Sequence, residues 1–393
     1  MATQPLRIGV MLRALDEKGG VGVYTRNILD ELLALDTEHE WVLFFRTPER
    51  MGEREGNPRV HEHLVGGRQK PVWDQIAIPR AAGREGVDVL FHPKFTVPLR
   101  APCPTVMTVH GADWFIPEHA RFYKPLDVAY IRAVMPHYFR QATAVCSVSK
   151  ITTDNFNRIL GLEPGKVVTT YLAPARHFGR VEDPERLRAV RERYDLPERF
   201  ILTLSKVGGD TRKNAAGIFE AFRRVAEAAP HALVVGGRGL ETFRGLHGIP
   251  DEGWGARVHF PGWIDQADLP AVYSLADLYL YPSNLEAFPI PVSEAMKCGT
   301  PIVTSRENGL EEIAGEGALL VDPRDPDEIA GAVLEILGDE ALRERLGRAG
   351  LTRSERYSWD RCARRTLAVL EWAARGGAPS AEEAAARVVP EAD

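Results

Sequence analysis

Short apolar runs recur along this chain, separated by stretches in which apolar positions return every three or four residues. Arg7-Ile8-Gly9-Val10-Met11-Leu12 reads as a first strand, followed by strands at 41–45, 87–91, 105–109, 144–149 and 167–170. The helical period appears at 25–35 and again ahead of residue 87. Residues 46–70 are polar and carry Gly and Pro, so they read as a surface loop. After a charged stretch, 176–197, the rhythm restarts with strands at 200–204, 232–235 and 257–260 and an Ala-rich helix at 215–229. Two consecutive sets of alternating strands and helices predict two parallel-sheet domains with a cleft between them. The expected limits are 1–175, a linker at 176–197, a second domain at 198–355 and an amphipathic helix at 356–374. A disordered Ala/Glu/Pro tail is expected at 375–393.

The stretch 278–305, LYLYPSNLEAFPIPVSEAMKCGTPIVTS, concentrates the candidate chemistry. It predicts a strand at 278–281, a loop bearing Glu286, a helix at 292–298 opened by Pro291 and stopped by Gly299, and another buried strand. The loop follows a strand's carboxyl end, where open α/β sheets bind ligands. Glu286 and Glu294 flank a helix N-terminus suited to a phosphate. The plainer alternative makes Glu294 a helix-dipole partner and Glu286 a solvated loop charge. Gly19-Gly20-Val21-Gly22 precedes the first helix, where glycines let backbone amides approach a phosphate or simply satisfy a turn. His110 lies just beyond a strand end, at crevice position or as a structural histidine. Residues 114–140 mix aromatics with bases, as a helix with an aromatic inner face or as a surface for a lipid-linked or membrane-borne acceptor.

Composition narrows these options. With 393 residues, 44% hydrophobic and 26% charged, the chain is an ordinary globular sequence. Its net charge of −6 argues against a general nucleic-acid binder. Charge is uneven: residues 1–175 sum to about +2 and the remainder to about −8. No apolar run reaches membrane-span length and the N-terminus lacks a signal-peptide layout, so a cytoplasmic protein is expected. The four cysteines lack metal-ligand spacing and read as reduced core residues. Asp325-Pro326-Asp327 superficially resembles a metal-binding DxD, but its place at a helix start makes it a cap.

With these segments in place, the chain resembles the family-four retaining glycosyltransferases of GT-B fold, in their mannosyltransferase-like branch, over residues 5–374. Residues 282–305 are similar to that family's PS-x-x-EGFGLP-x-x-EAM-x-CGTPVV-TS block, with two glutamates separated by seven residues. The Gly19–Gly22 turn, Trp73-Asp74-Gln75, His92-Pro93, His110 with Pro117-Glu118, Arg212-Lys213-Asn214, Gly262-Trp263 and Gly309-Leu310-Glu311 resemble its other segments.

The resemblance implies an α/β GT-B fold: two Rossmann-like parallel-sheet domains facing a central cleft, with the C-terminal helix crossing back to the first. It implies hexose transfer from a nucleotide sugar, GDP-mannose favoured over a UDP-glucose donor, to a glycan, lipid-linked or small-molecule acceptor, with no metal or other cofactor. Peripheral membrane contact would run through the N-terminal domain. Arg212, Lys213 and the amides near Phe288, Ile290 and Val292 would meet the diphosphate. Glu286 would take hydroxyls of the transferred sugar, Glu294 the ribose, and Gly262 and Trp263 the base side. His110 and Gly19, Gly20, Val21 and Gly22 would come from the facing domain. Front-face attack leaves no protein nucleophile to assign.

Three departures stand out. Val207-Gly208 replaces the family's Gly-Arg, leaving Arg212 and Lys206 to supply the charge. Pro289 stands where glycine is usual and removes an amide donor. Val23 replaces an arginine. Two rivals from other classes are an epimerase or phosphorylase on the same fold and a non-catalytic nucleotide-sugar binder. A phosphorylase needs a cofactor lysine, and Lys206, Lys213 and Lys297 show no context for one.

Overall fold

The computed structural model describes residues 4–389 except 18, 55, 68, 206–210, 239–241 and 377–378. The departure at Val207-Gly208, and Lys206 beside it, lie outside the described residues. Two compact units divide the chain, Met1–Leu172 with Ser358–Asp393, and Ala173–Tyr357.

The first unit is built on a parallel sheet of β1 (Arg7–Met11), β2 (Glu40–Phe45), β3 (Val60–Leu64), β4 (Val89–His92), β5 (Thr105–Val109), β6 (Ala144–Ser147) and β7 (Val167–Thr169), ordered β3-β2-β1-β4-β5-β6-β7. The central strands are buried along nearly their whole length, as continuous apolar runs in a doubly covered parallel sheet must be. Strand order reverses between β1 and β4, so loops leaving those two strands part and open a crevice at the carboxyl edge.

The second sheet contains β8 (Phe200–Leu204), β9 (Ala232–Gly236), β10 (Val258–Gly262), β11 (Leu278–Tyr281), β12 (Ile302–Ser305) and β13 (Ala318–Val321), ordered β10-β9-β8-β11-β12-β13. Its switch point falls between β8 and β11. A single cluster that includes Ile201, Phe222, Leu280, Val303 and Val333 forms the core on one side of this sheet.

Four expectations are corrected. Residues 46–70 are not all loop: Val60–Leu64 pairs in parallel with β2 as an edge strand. Its sequence, VHEHL, carries three charge-capable side chains in a row, the composition that keeps a sheet edge from pairing further. The expected linker carries a helix, Pro184–Arg193, capped by Asp183 and tied by Arg193 to buried Asp268 at 2.9 Å, so it belongs to the second unit. The first helix starts at Gly20 rather than 25, so the glycine turn is its opening turn.

The expected disordered tail forms a helix, Ala381–Val388. Ser380 caps it, Ala381 and Ala385 are fully buried, and buried Arg365 donates to Thr169 O (2.8 Å), Val389 O (2.6 Å) and Glu382. Alanines supply no bulky periodic signal, yet their size lets that helix lie close to its neighbours. The preceding helix, Trp359–Arg375, groups with the first unit, where Trp359 meets Tyr24 (6.1 Å between ring centroids) and Glu371 pairs with His39 at 2.9 Å.

Candidate functional site

In the second unit, the loops after β8 and β11 are laced together at the switch point. Ser283 Oγ and the Asn284 amide both donate to Arg212 O at 2.7 Å. Asn214, in the left-handed region at φ 55, donates its side-chain amide to Pro282 O (3.1 Å) and Pro323 O (2.6 Å). Thr304 and Ser305 at the end of β12 donate to Tyr281 O (2.8 Å) and Ser283 O (2.6 Å). Gly309 donates its amide to Glu286 O at 3.0 Å. A Cβ at 309 would lie 2.1 Å from Ala287 O, so only glycine lets the two segments meet. Most of the polar residues in the block around Glu286 therefore shape the loop that carries it.

Glu286 Oε1 accepts from Tyr281 OH at 2.9 Å, from Ser283 Oγ at 3.3 Å and from Lys213 Nζ, which also donates to Tyr281 OH. Lys213 and Glu286 thus form a partly buried ion pair within reach of the surface, at 20% and 16% side-chain exposure. The structure brings Lys213 and Glu286 together, with the Arg212 backbone carbonyl bonded to the loop that carries Glu286.

Glu294 sits in the helix Ile290–Lys297, buried, with Tyr273 OH donating to Oε2 at 3.3 Å. Among the described residues no cation pairs with it, and burial pushes its carboxyl up to about 7. A solvated dipole partner would show neither property, so the plainer alternative does not describe Glu294. The amides of Ile290 and Val292 donate to Phe288 O and Pro289 O, both at 3.0 Å, so a phosphate there would compete with the chain's own carbonyls. Pro289 itself precedes the helix at φ −79, a value its ring favours.

Gly262 (φ 79) and Trp263 close β10, on the far side of β8 from β11. The exposed Trp263 ring carries the Arg238 guanidinium 4.2 Å from its centroid. That arginine had no signal in the sequence beyond standing two residues after a strand. Asp325 caps the helix Pro326–Gly338 through the amides of Asp327 (2.9 Å) and Glu328 (3.1 Å), as expected. Among the described residues, no three His, Cys, Asp or Glu side chains group so as to hold a metal ion.

In the first unit, a Cβ at Gly22 would lie 1.8 Å from Glu17 O, so close backbone approach alone demands that glycine. Gly19 (φ 114) precedes the helix and its carbonyl accepts from Val23 N at 3.0 Å. Gly20 and Val21 fill the first turn, and Val21 O accepts from Thr25 Oγ1 at 2.8 Å. One turn on, Tyr24 meets the His110 ring edge-on at 4.9 Å. His110 Nε2 donates to Pro93 O at 3.1 Å, which fixes the tautomer and leaves Nδ1 unprotonated. Burial pulls its pKa down to about 4, so it is neutral at pH 7.

A polar network surrounds this histidine; the sequence named Asp74 and His92 through the resemblance and missed Arg13, Glu17, Lys94 and Thr96. Arg13, two residues past β1, grips Asp74 through Nε–Oδ1 (2.8 Å) and Nη2–Oδ2 (2.9 Å), with both side chains nearly inaccessible. Asp74 is held in a π-helical turn, Trp73–Ala77, anchored by buried Trp73 donating to Val65 O at 2.8 Å. Thr96 Oγ1 donates to Asp74 at 3.0 Å, and Thr96 O bonds His92 Nδ1 at 2.6 Å. Lys94 pairs with both oxygens of Glu17, at 2.5 and 2.7 Å.

Residues 18–172 match the family described as Glycosyltransferase Family 4, and residues 188–353 match Glycosyl transferases group 1, one family in each compact unit. The chain belongs to the glycosyltransferases. This glycosyltransferase is 29% identical over 371 residues to O-antigen chain mannosyltransferase B of Escherichia coli, spanning 88% of this chain and 94% of that protein. Among solved structures it is similar to sucrose-phosphate synthase from Thermosynechococcus elongatus, with TM-score 0.70, 21% identity, and coverage of 91% of this chain and 96% of that one. It is likewise similar to Anabaena HepE in complex with UDP-glucose, with TM-score 0.72, 18% identity, and coverage of 93% and 99%. These likenesses show that the glycosyltransferase has the GT-B fold. No helix among its described residues is long and apolar enough to cross a membrane.

Proposed function

We propose that this glycosyltransferase moves a hexose, mannose from GDP-mannose in preference to glucose from a UDP donor, onto a hydroxyl of a glycan, lipid-linked or small-molecule acceptor. The reading makes the transfer retaining and metal-independent. The observation that carries it is the meeting of Lys213 and Glu286 at the switch point between β8 and β11, with the Arg212 backbone carbonyl bonded to the same loop. The nearly full-length likeness to an O-antigen chain mannosyltransferase supports mannose.

The donor's diphosphate gains charge as its bond to the sugar breaks. Arg212 and Lys213 take that charge from fixed positions, where preorganised cations stabilise a transition state best. Glu286 accepts hydroxyls of the transferred sugar, and Glu294 accepts from the ribose. The departing phosphate oxygen receives the acceptor's proton on the face where the new bond forms, so the paired glutamates need not act as acid and nucleophile. His110, neutral with its Nδ1 unprotonated, serves the first unit's side of the reaction as a hydrogen-bond acceptor, together with the Gly19–Gly22 turn.

A peripheral membrane contact draws support from the helix Pro125–Gln141, where Leu126 and Tyr130 are 84% and 56% exposed beside exposed Lys124, Arg132 and Arg140. Incubation with GDP-mannose, UDP-glucose and other nucleotide sugars should release diphosphate nucleotide fastest from GDP-mannose, with an α-linked product by NMR. Binding without release from any donor would leave a non-catalytic binder, and an inverted anomer would overturn retention.

A further inference from the structure

Tyr279 and Tyr281 are two residues apart on β11 and so share one face of the sheet. Their rings stack at 5.5 Å and 18°, and Tyr273 meets Tyr279 edge-on at 5.2 Å and 82°. All three side chains are buried. Packing on this scale leaves the Tyr281 ring one position, and its hydroxyl is fixed with it.

That hydroxyl stands between the two charged groups of the candidate site. It accepts from Lys213 and donates to Glu286 Oε1 at 2.9 Å, while the Lys213 ammonium lies 4.7 Å from the centre of the Tyr281 ring. Glu286 is on a loop and Lys213 ends a flexible stem, so neither is well placed by its own backbone. The bonds received by the Glu286 carboxylate from Lys213, Tyr281 and Ser283 all fall on Oε1. One oxygen is anchored, and among the described residues no donor bonds the other.

We propose that Tyr281 is a positioning residue for sugar transfer: it anchors Glu286 Oε1, so that Oε2 faces the hydroxyls of the transferred hexose, and it holds Lys213 beside the diphosphate. The inference rests on the assignment of Glu286 to the sugar made above. Neither the glutamate pair nor the lysine implies it, since both can be present without a tyrosine at 281.

The test compares the unaltered enzyme, Tyr281→Phe and Glu286→Gln on GDP-mannose and on GDP-mannose analogues each lacking one ring hydroxyl, alongside the Kd for GDP. Phe keeps the ring and its stacking and removes only the hydroxyl. Tyr281→Phe should lower kcat/KM about 10- to 100-fold, the range for a lost hydrogen bond to a charged group. GDP affinity should fall by a smaller factor than kcat/KM, since Lys213 keeps its bond to Glu286 Oε1. Preference for the full donor over one deoxy analogue should shrink in both variants. A Tyr281→Phe enzyme with unaltered kcat/KM, or one that loses GDP binding and activity together while keeping the deoxy preference, overturns the proposal. If Glu286→Gln loses that preference and Tyr281→Phe does not, the assignment of Glu286 stands and the positioning role falls. No turnover of any donor by the unaltered enzyme removes both.

Discussion

Around their candidate site residues, the two units hold buried charges in opposite ways. In the first, Arg13 faces Asp74 and Lys94 faces Glu17, each cation closed on its own acid, with His110 neutral among them. In the second, Lys213 and Glu286 pair near the surface, but among the described residues buried Glu294 meets a tyrosine hydroxyl and no cation. A closed pair mainly holds loops in place, since removing one partner leaves the other charge stranded. A lone buried carboxylate costs stability and gains nothing from the fold around it. In the proposed function, the ribose hydroxyls are the donors that complete its set.

The contrast breaks most sharply at Arg13. Arg13→Ala should strand Asp74 and destabilise the first unit by about 3–5 kcal/mol. The loss would be read as reduced hydrogen-exchange protection in β4 and β5, with β11 and β12 unchanged. A loss under about 1 kcal/mol would mean that the pair is not closed as described.

At Glu294 the expectation reverses. Its carboxyl titrates near 7 when folded against an ordinary 4.5, so the folded protein binds more protons between those values. The group's stability contribution is whole below 4.5 and falls as pH rises through 7. Glu294→Gln should therefore gain roughly 2–3 kcal/mol at pH 8 and nothing at pH 4. Nucleotide affinity, by contrast, should rise with pH through 7 in the unaltered protein and stay flat in the variant. An Arg13-like loss of stability in Glu294→Gln at pH 8 would end the distinction between the units.

The smallest effect is expected at His110. Its folded pKa, about 4, lies below the ordinary 6.5, so stability present above 6.5 is lost as pH falls toward 4. Exchanging His110 for Asn should relieve on the order of 1 kcal/mol at pH 5.5 and almost nothing at pH 7.5. Equal relief at both values would show that the ring is not held neutral by burial.

The second unit's site was the more legible of the two because its chemistry is contiguous. Leu278 to Ser305 spells strand, loop, acid, helix and strand in order, and Arg212-Lys213-Asn214 stands out as a polar triplet before an Ala-rich helix. The first unit's network comes from residues 13, 17, 74, 92, 94, 96 and 110; the sequence singled out 74, 92 and 110, in separate segments, and left 13, 17, 94 and 96 unremarked. Only the reversal of strand order between β1 and β4 brings them to one edge. The same logic explains the fold's surprises. Val60–Leu64 escapes a hydrophobic scan because an edge strand is charged by design, and Ala381–Val388 escapes it because alanine carries little apolar signal. Tyr281 was visible as an apolar strand residue; that its hydroxyl meets both Lys213 and Glu286 depends on the packing of three tyrosine rings.

Ser358–Asp393 groups with Met1–Leu172, and Arg365 grips the β7 backbone from within that segment. The second unit is therefore an insertion, in chain order, within the first. During synthesis Ala173–Tyr357 has its whole sequence in hand before the first unit has its last two helices. Until the helix Trp359–Arg375 emerges, Tyr24 and Thr169 lack the partners it brings them. A chain cut short after residue 357 would carry the whole second unit tethered to a first unit without its last two helices.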